Sequence, residues 1–308
     1  MIVHKRKRRI AVLLSGSGST RSRPKIKKLP LTDGLGSNLQ ALLEACDTPR
    51  LPSVDITFVL SSRSNAYGLI RAFNHSPPIP TSICALKTFL NQNPGSTREH
   101  YDAEIARRVI DSRPDLVVLA GWMHILSDAF LDILNGVTQP PSAPALPPPD
   151  PASLPTQTEP IKSHTPANST SFNHLPEPLH TQSFPIPCIN LHPALPGSFD
   201  GANAIGRAHE AFGRGEIQKT GVMVHRVVRD VDQGEPLVVR ELEMRRGESL
   251  HDLEERLHEV GQMSAINKHC IMLIFVIAGG ARDHRGGSTA RPRGARPRRA
   301  DIKRCMSI

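Results

Sequence analysis

Three short groups of residues have the types and spacing to do chemistry. Asn190, Leu191, His192 and Pro193 close an apolar run at residues 187–192. Side chains alternate along an extended chain, so Asn190 and His192 share one face and Leu191 takes the other. An amide donor beside an imidazole suits acyl transfer: the amide stabilises a developing oxyanion and the imidazole moves a proton. Further on, Val231, Asp232, Gln233 and Gly234 form a turn behind an alternating run at 220–228. An aspartate beside a histidine raises its pKa, and from ~6.5 a modest rise keeps the ring protonated near neutrality. Taken singly, each group also reads as ordinary structure, a His-Pro strand end and an Asp-Gly turn.

The third group is a glycine loop. Ser15-Gly16-Ser17-Gly18-Ser19 ends the first apolar run, and Gly36-Ser37-Asn38 opens the first helical pattern. Amides at a helix N-terminus bind phosphate, and glycine permits close approach. A dinucleotide site would also need an acid at the end of the second strand, where Ser61-Ser62-Arg63 stand; the expectation is therefore a monophosphate. A tight glycine turn without a ligand is the alternative. Among the remaining histidines, His225 alternates within its strand and can approach the site. His209, His251 and His258 are placed on helix surfaces. No Cys/His cluster with metal spacing is present, and no metal is expected.

Such groups need a frame that brings strand ends together. Residues 9–14, 55–60 and 115–120 are continuous apolar runs rich in branched side chains, as in strands buried on both faces. Strands are also read at 187–192, 220–228 and 236–244, with a short one around 82–86. Helices are read at 36–45, 67–73, 98–112, 125–134, 201–212 and 249–260, and 74–97 is otherwise irregular. The alternation predicts an α/β, Rossmann-like fold: a mostly parallel sheet with helices on both faces and ligands at the carboxyl ends of the strands, near Ser15, Ser61 and Gly121.

The 308 residues suit a single such domain, at 9–278. It is interrupted at 20–35 by a basic, proline-containing stretch and at 137–187 by a proline-rich one. The latter lacks the apolar content to offset its ordering entropy and is expected to be a disordered insertion. Residues 1–8 and 279–308 read as basic tails on a nearly neutral centre, with a net charge of +9 overall. The basic runs carry no interleaved aromatics, so no nucleic-acid partner is expected. The five cysteines are unpaired in spacing, no secretory leader is apparent, and the apolar run at 270–278 is too short to span a bilayer. The expected setting is the cytoplasm, without membrane contact.

Taken in order, these pieces resemble the folate-dependent formyltransferases. The resemblance rests on RIAVLLSGSGS with GSNLQALLEAC, STREHYD, PDLVVLAGWMHILS, CINLHPALPGSFDGANAI, KTGVMVHRVVRDVDQGEPLV and SLHDLEERLHEV. These cover most of 9–260 outside the two insertions and end at Val260. The Asn-x-His-Pro and Val-Asp-x-Gly pieces belong to the wider group. The GSNLQAL opening is similar to its phosphoribosylglycinamide (GAR) branch.

The resemblance implies a single formyltransferase domain that moves a formyl group from 10-formyltetrahydrofolate to the amine of GAR in purine (IMP) synthesis. It implies a catalytic trio of Asn190, His192 and Asp232, and phosphate binding by Gly36, Ser37 and Asn38. Arg98, Met123, His124, Ile125 and Leu126 would line the folate site, with Val228, Arg229, Asp230, Val231 and Asp232. The family often has Arg at the position of His124, and a substrate-holding Glu at the position of Gly261. Rival readings are a methionyl-tRNA formyltransferase, a formyltetrahydrofolate hydrolase, or a folate- or nucleotide-binding protein without catalysis. The first would want a folded basic domain for tRNA and the second a regulatory domain ahead of the catalytic one.

Overall fold

The computed structural model describes residues 6–16, 37–142 and 182–265. Fourteen elements follow in order: β1 (Arg8–Leu14), α1 (Ser37–Ala45), β2 (Val54–Ser61), α2 (Tyr67–Phe73), β3 (Thr81–Ile83), α3 (Leu86–Gln92), α4 (Arg98–Asp111), β4 (Leu116–Leu119), α5 (Asp128–Leu134), β5 (Cys188–His192), α6 (Ala204–Gly213), β6 (Lys219–Arg226), β7 (Pro236–Glu243) and α7 (Leu250–Ala265). The strands form one seven-stranded sheet in the order β3-β2-β1-β4-β5-β6-β7. Pairings from β3 to β5 are parallel and the last two are antiparallel, which gives the expected mostly parallel sheet.

The two-sided apolar runs explain the layers. In β1, Ile10, Val12 and Leu14 enter one core while Ala11 and Leu13 enter the other. In β4, Leu116 and Val118 take the first face, and Val117 and Leu119 the second. Leu39 and Leu42 of α1 and Ala72 of α2 cover the first face. Tyr101, Ile105 and Val109 of α4, with Phe130 and Leu134 of α5, cover the second. Strand β2 switches parity midway. Val54 and Ile56 face the first core, but after a register shift that pairs Ile10 with Ile56 and Ala11 with Phe58, it is Val59 that does so. The extra residue, Thr57, forms a bulge that reverses the alternation, so that Phe58 and Leu60 enter the second core.

Several expectations shift. Arg6 pairs with the buried Asp115 at 2.5 Å, Lys7 reaches Asp47 and Asp55, and Arg8 begins β1, so residues 6–8 belong to the domain and not to a basic tail. Helix α3 occupies part of the stretch read as irregular, and the short strand lies at Thr81–Ile83 rather than 82–86. Helix α5 starts at Asp128 rather than 125, which leaves 121–127 as a loop. Residues 182–187, read as part of the proline-rich insertion, are packed: Ile186 is buried and its N–H donates to the Leu134 carbonyl at 2.8 Å. Helix α7 continues past Val260. Cys46, Cys84 and Cys188 are free thiols, whereas Cys270 and Cys305 lie outside the described residues, as do Gly36 and the segment at 20–35.

Candidate active site

The sheet order reverses between β1 and β4. Adjacent loops there leave in opposite directions and open a crevice at the carboxyl ends of the strands. A cavity of about 520 Å³ occupies this position. Gly16 and Asn38 line one end with Glu254, His258 and Gly261 of α7. Gly121, Met123, His124, Ile125 and Leu126 line another part with Val228, Arg229 and Val231. Asn190, His192, His225 and Asp232 line it as well. Ser15 and Ser61 are buried behind the crevice. Ser15 Oγ accepts from Met123 N and from Ser62 Oγ, both at 2.9 Å, and Ser61 Oγ donates to the Arg63 carbonyl, so these hydroxyls brace loops and do not face the cavity.

The polar centre converges on Asp232. His192 Nδ1 lies 3.3 Å from Asp232 Oδ2, and the Gly201 N–H donates to the same oxygen at 2.8 Å. Asn190 Nδ2 and His225 Nε2 each lie 3.3 Å from Asp232 Oδ1 and 3.3 Å from one another. His225 Nδ1 is 2.8 Å from the Arg226 carbonyl, which can only accept, so that nitrogen carries a proton. Strand pairing sets this up: β5 and β6 run antiparallel with Asn190 opposite His225. Asp232 is delivered by a turn in which it takes the left-handed conformation, φ +57°. Gly234 makes the turn possible, because a Cβ there would stand 1.6 Å from the Arg226 carbonyl oxygen.

Burial disfavours a charge on Asp232, but hydrogen bonds from His225 and the Gly201 amide, with the fields of both imidazoles, outweigh it and hold the carboxyl at about 2. His192 behaves differently from the sequence expectation. Burial is the largest influence and lowers its pKa below the ordinary histidine value, with His225 acting in the same direction; the opposing pull of Asp232 is smaller. The imidazole is therefore neutral near pH 7, not protonated. With Nδ1 directed at the carboxylate, its Nε2 holds a lone pair, and that nitrogen is buried and makes no hydrogen bond. This is the arrangement of a general base oriented by a carboxylate.

The remaining sequence-derived residues divide. Met123, His124, Ile125, Leu126, Val228, Arg229 and Val231 reach the cavity wall, whereas Arg98 and Asp230 are not part of its lining. Arg98 instead pairs with Asp102 at 3.0 Å and donates to the Ile125 carbonyl. Asn38 lines the cavity with its buried Oδ1 unpartnered, and Ser37 begins α1. His258 is not on an open helix surface: it lines the cavity, and burial lowers its pKa. His209 and His251 do lie outside the cavity; His209 meets the Glu248 carbonyl and His251 meets Glu255. The Gly201 amide carried no sequence signal. His225 did, through its alternation within the strand now seen as β6.

The profile of the formyl transferase family matches residues 26–138 and 172–268, and so extends beyond the Val260 limit read from the motifs. The chain is 38% identical over 230 residues to the phosphoribosylglycinamide formyltransferase of Schizosaccharomyces pombe, covering 74% of this chain and 87% of that protein. It is 34% identical to the phosphoribosylglycinamide formyltransferase of Dictyostelium discoideum, covering 77% of this chain and 92% of that one. Among solved structures, glycinamide ribonucleotide transformylase 1 from Symbiobacterium toebii superposes with a TM-score of 0.57 at 23% identity, over 89% of each chain. That from Bacillus halodurans, a phosphoribosylglycinamide formyltransferase, gives 0.56 at 18% identity over 91% of this chain and 100% of the other, a likeness of fold. With a profile match over more than half its length and relatives this similar along most of theirs, the chain belongs to the formyl transferase family.

Proposed function

We propose that this protein is a phosphoribosylglycinamide formyltransferase, which moves the formyl group of 10-formyltetrahydrofolate to the amine of GAR and releases tetrahydrofolate and formyl-GAR. The relatives named above support the reaction. The observation that carries the chemistry is the unpartnered Nε2 of a neutral His192, oriented through Nδ1 by Asp232. In this reading the amine attacks the formyl carbon and His192 takes up the proton the amine must lose. Asn190, whose present contacts are long at 3.3 Å, turns its amide hydrogen to the developing oxyanion. Asp232 balances the imidazolium that forms, and the proton passes on to the departing folate nitrogen.

The phosphate of GAR is placed at the Gly16 and Asn38 end, where α1 begins, and Gly36 and Ser37 join Asn38 in holding it. The folate is placed against Met123–Leu126 and Val228–Asp232. No helix among the described residues is long and apolar enough to cross a membrane. The reaction uses two small soluble substrates, and the cytoplasm is the setting proposed for it.

The test is direct formyl transfer from 10-formyltetrahydrofolate to GAR, with His192→Ala and Asp232→Asn alongside. The parent protein turns over, and each variant loses between about a hundredfold and ten-thousandfold in kcat, the usual worth of a positioned acid-base group. Turnover that survives in both variants would remove the trio from the mechanism. A parent that hydrolyses the folate without formylating GAR would point to the hydrolase instead.

A further inference from the structure

Asp102 is fully buried on α4, outside the cavity lining, and takes no part in the chemistry above. Its Oδ1 accepts from Arg98 Nε at 3.0 Å, and its Oδ2 accepts from the backbone N–H of Ser127 at 2.9 Å. Arg98 extends the chain of contacts, donating from Nη2 to the Ile125 carbonyl. Between these two residues on the helix, Tyr101 lies edge-on to His124 with ring centroids 6.1 Å apart. One turn of α4 thus grips the 121–127 loop at three successive points. The buried Trp122 and Leu126 anchor the loop in the second core and Ser15 Oγ holds the Met123 N–H, while Ile125, 64% exposed, adds little hold of its own and is fixed from α4.

We propose that Asp102 is a positioning residue: it fixes the 121–127 loop, and with it the formyl-donor side of the cavity, through Arg98 and the Ser127 amide. The inference rests on reading that side as the folate site. A carboxylate suits the place because both of its oxygens accept, and charge-assisted bonds hold geometry tightly. Asparagine has the same shape but one acceptor. Its NH₂ must then face either the Arg98 guanidinium or the Ser127 N–H, donor against donor.

The experiment compares Asp102→Asn and Arg98→Met with the parent. Arg98→Met removes the donors to Asp102 Oδ1 and to the Ile125 carbonyl, lies outside the cavity lining, and leaves the Ser127 N–H bond to Asp102 Oδ2 in place. Two readouts are taken. Trp122 is the chain's single tryptophan and sits in the loop, only 7% exposed, so acrylamide quenching of the unliganded protein reports loop position. Steady-state kinetics then separate the two substrates. The expected result is stronger quenching in both variants, with KM for 10-formyltetrahydrofolate raised about tenfold, the worth of one hydrogen bond to a charged group. KM for GAR stays unchanged.

Unchanged quenching and unchanged donor KM, in variants that melt with the parent, would overturn the proposal. So would a rise of both KM values together, which marks a general brace. A failure of Asp102→Asn to fold leaves Arg98→Met to decide. If the parent itself does not formylate GAR, the activity reading fails alone, and the quenching still tests the clamp.

Discussion

His192 shows how two opposing effects are weighed at a single residue. Asp232, 3.3 Å away, favours the imidazolium, while burial and His225 favour the neutral ring, and together the latter prevail. The sign fixes the pH dependence. The base must be neutral to accept a proton, so kcat/KM for GAR is expected to fall on the acid side through a pKa below the ordinary ~6.5. In Asp232→Asn the attractive charge is gone, so the acid limb moves to still lower pH while the plateau drops. A limb that stays in place, or moves up, would mean that Asp232 does not act on His192. Spacing alone put Asn190 and His192 on one face and pointed to Asp232. It could not foresee the desolvation, because the side chains that bury His192 come from segments far apart in the chain. His258 was misread for the same reason: its surroundings are supplied by other elements, and only the assembled crevice shows it lining the cavity.

Elements with strong local patterns were legible, and elements that serve a neighbour were not. The runs at β1 and β4 announced strands buried on both faces, and both cores bear this out. Helix α3 is only seven residues long and buries none of them fully, so its short stripe of Leu86, Phe89 and Leu90 did not stand out as a helix. Residues 125–127 resembled the start of a helix because Ile125 and Leu126 continue the apolar pattern of α5, although Leu126 packs in the second core and Ile125 lines the cavity. The Asp232 turn depends on a contact with β6 that no local rule contains, the approach of Gly234 to the Arg226 carbonyl. Gly234→Ala is expected to displace that turn at a cost on the order of 3 kcal/mol, as overpacking does, and to abolish turnover; thermal unfolding and the transfer assay measure the two effects. Gly261 is the milder case. A Cβ there meets only the Leu191 side chain, at 3.3 Å, and Leu191 is half-buried and can yield. Gly261→Ala should therefore gain up to about 1 kcal/mol of helix stability in α7, read as a raised melting temperature.

At the scale of the whole molecule, the chain crosses the sheet once at the strand-order reversal, and every proposed function sits there. The proline-rich stretch enters far along the chain from that point, between α5 and β5. Both of its attachment points are fixed by the fold. The Ile186 N–H donates to the Leu134 carbonyl at 2.8 Å, Gln182 Nε2 donates to the Pro114 carbonyl at 3.1 Å, and Phe184 lies against Gly136. Residues 134–136 and 184–186 are thus held side by side by these contacts. A loop whose ends are pinned in this way contributes mainly closure entropy, which grows by only about 0.6 kcal/mol for each doubling of length. Replacing 143–181 with a short Gly/Ser linker should keep β5 in register, and with it Asn190 and His192. The shortened protein is expected to match the parent in kcat and in both KM values, and to gain about 1 kcal/mol or less in stability from the smaller loop. A shortened protein that folds but loses turnover would show that the stretch contributes to the reaction. One that melts well below the parent would show that it contributes to the core.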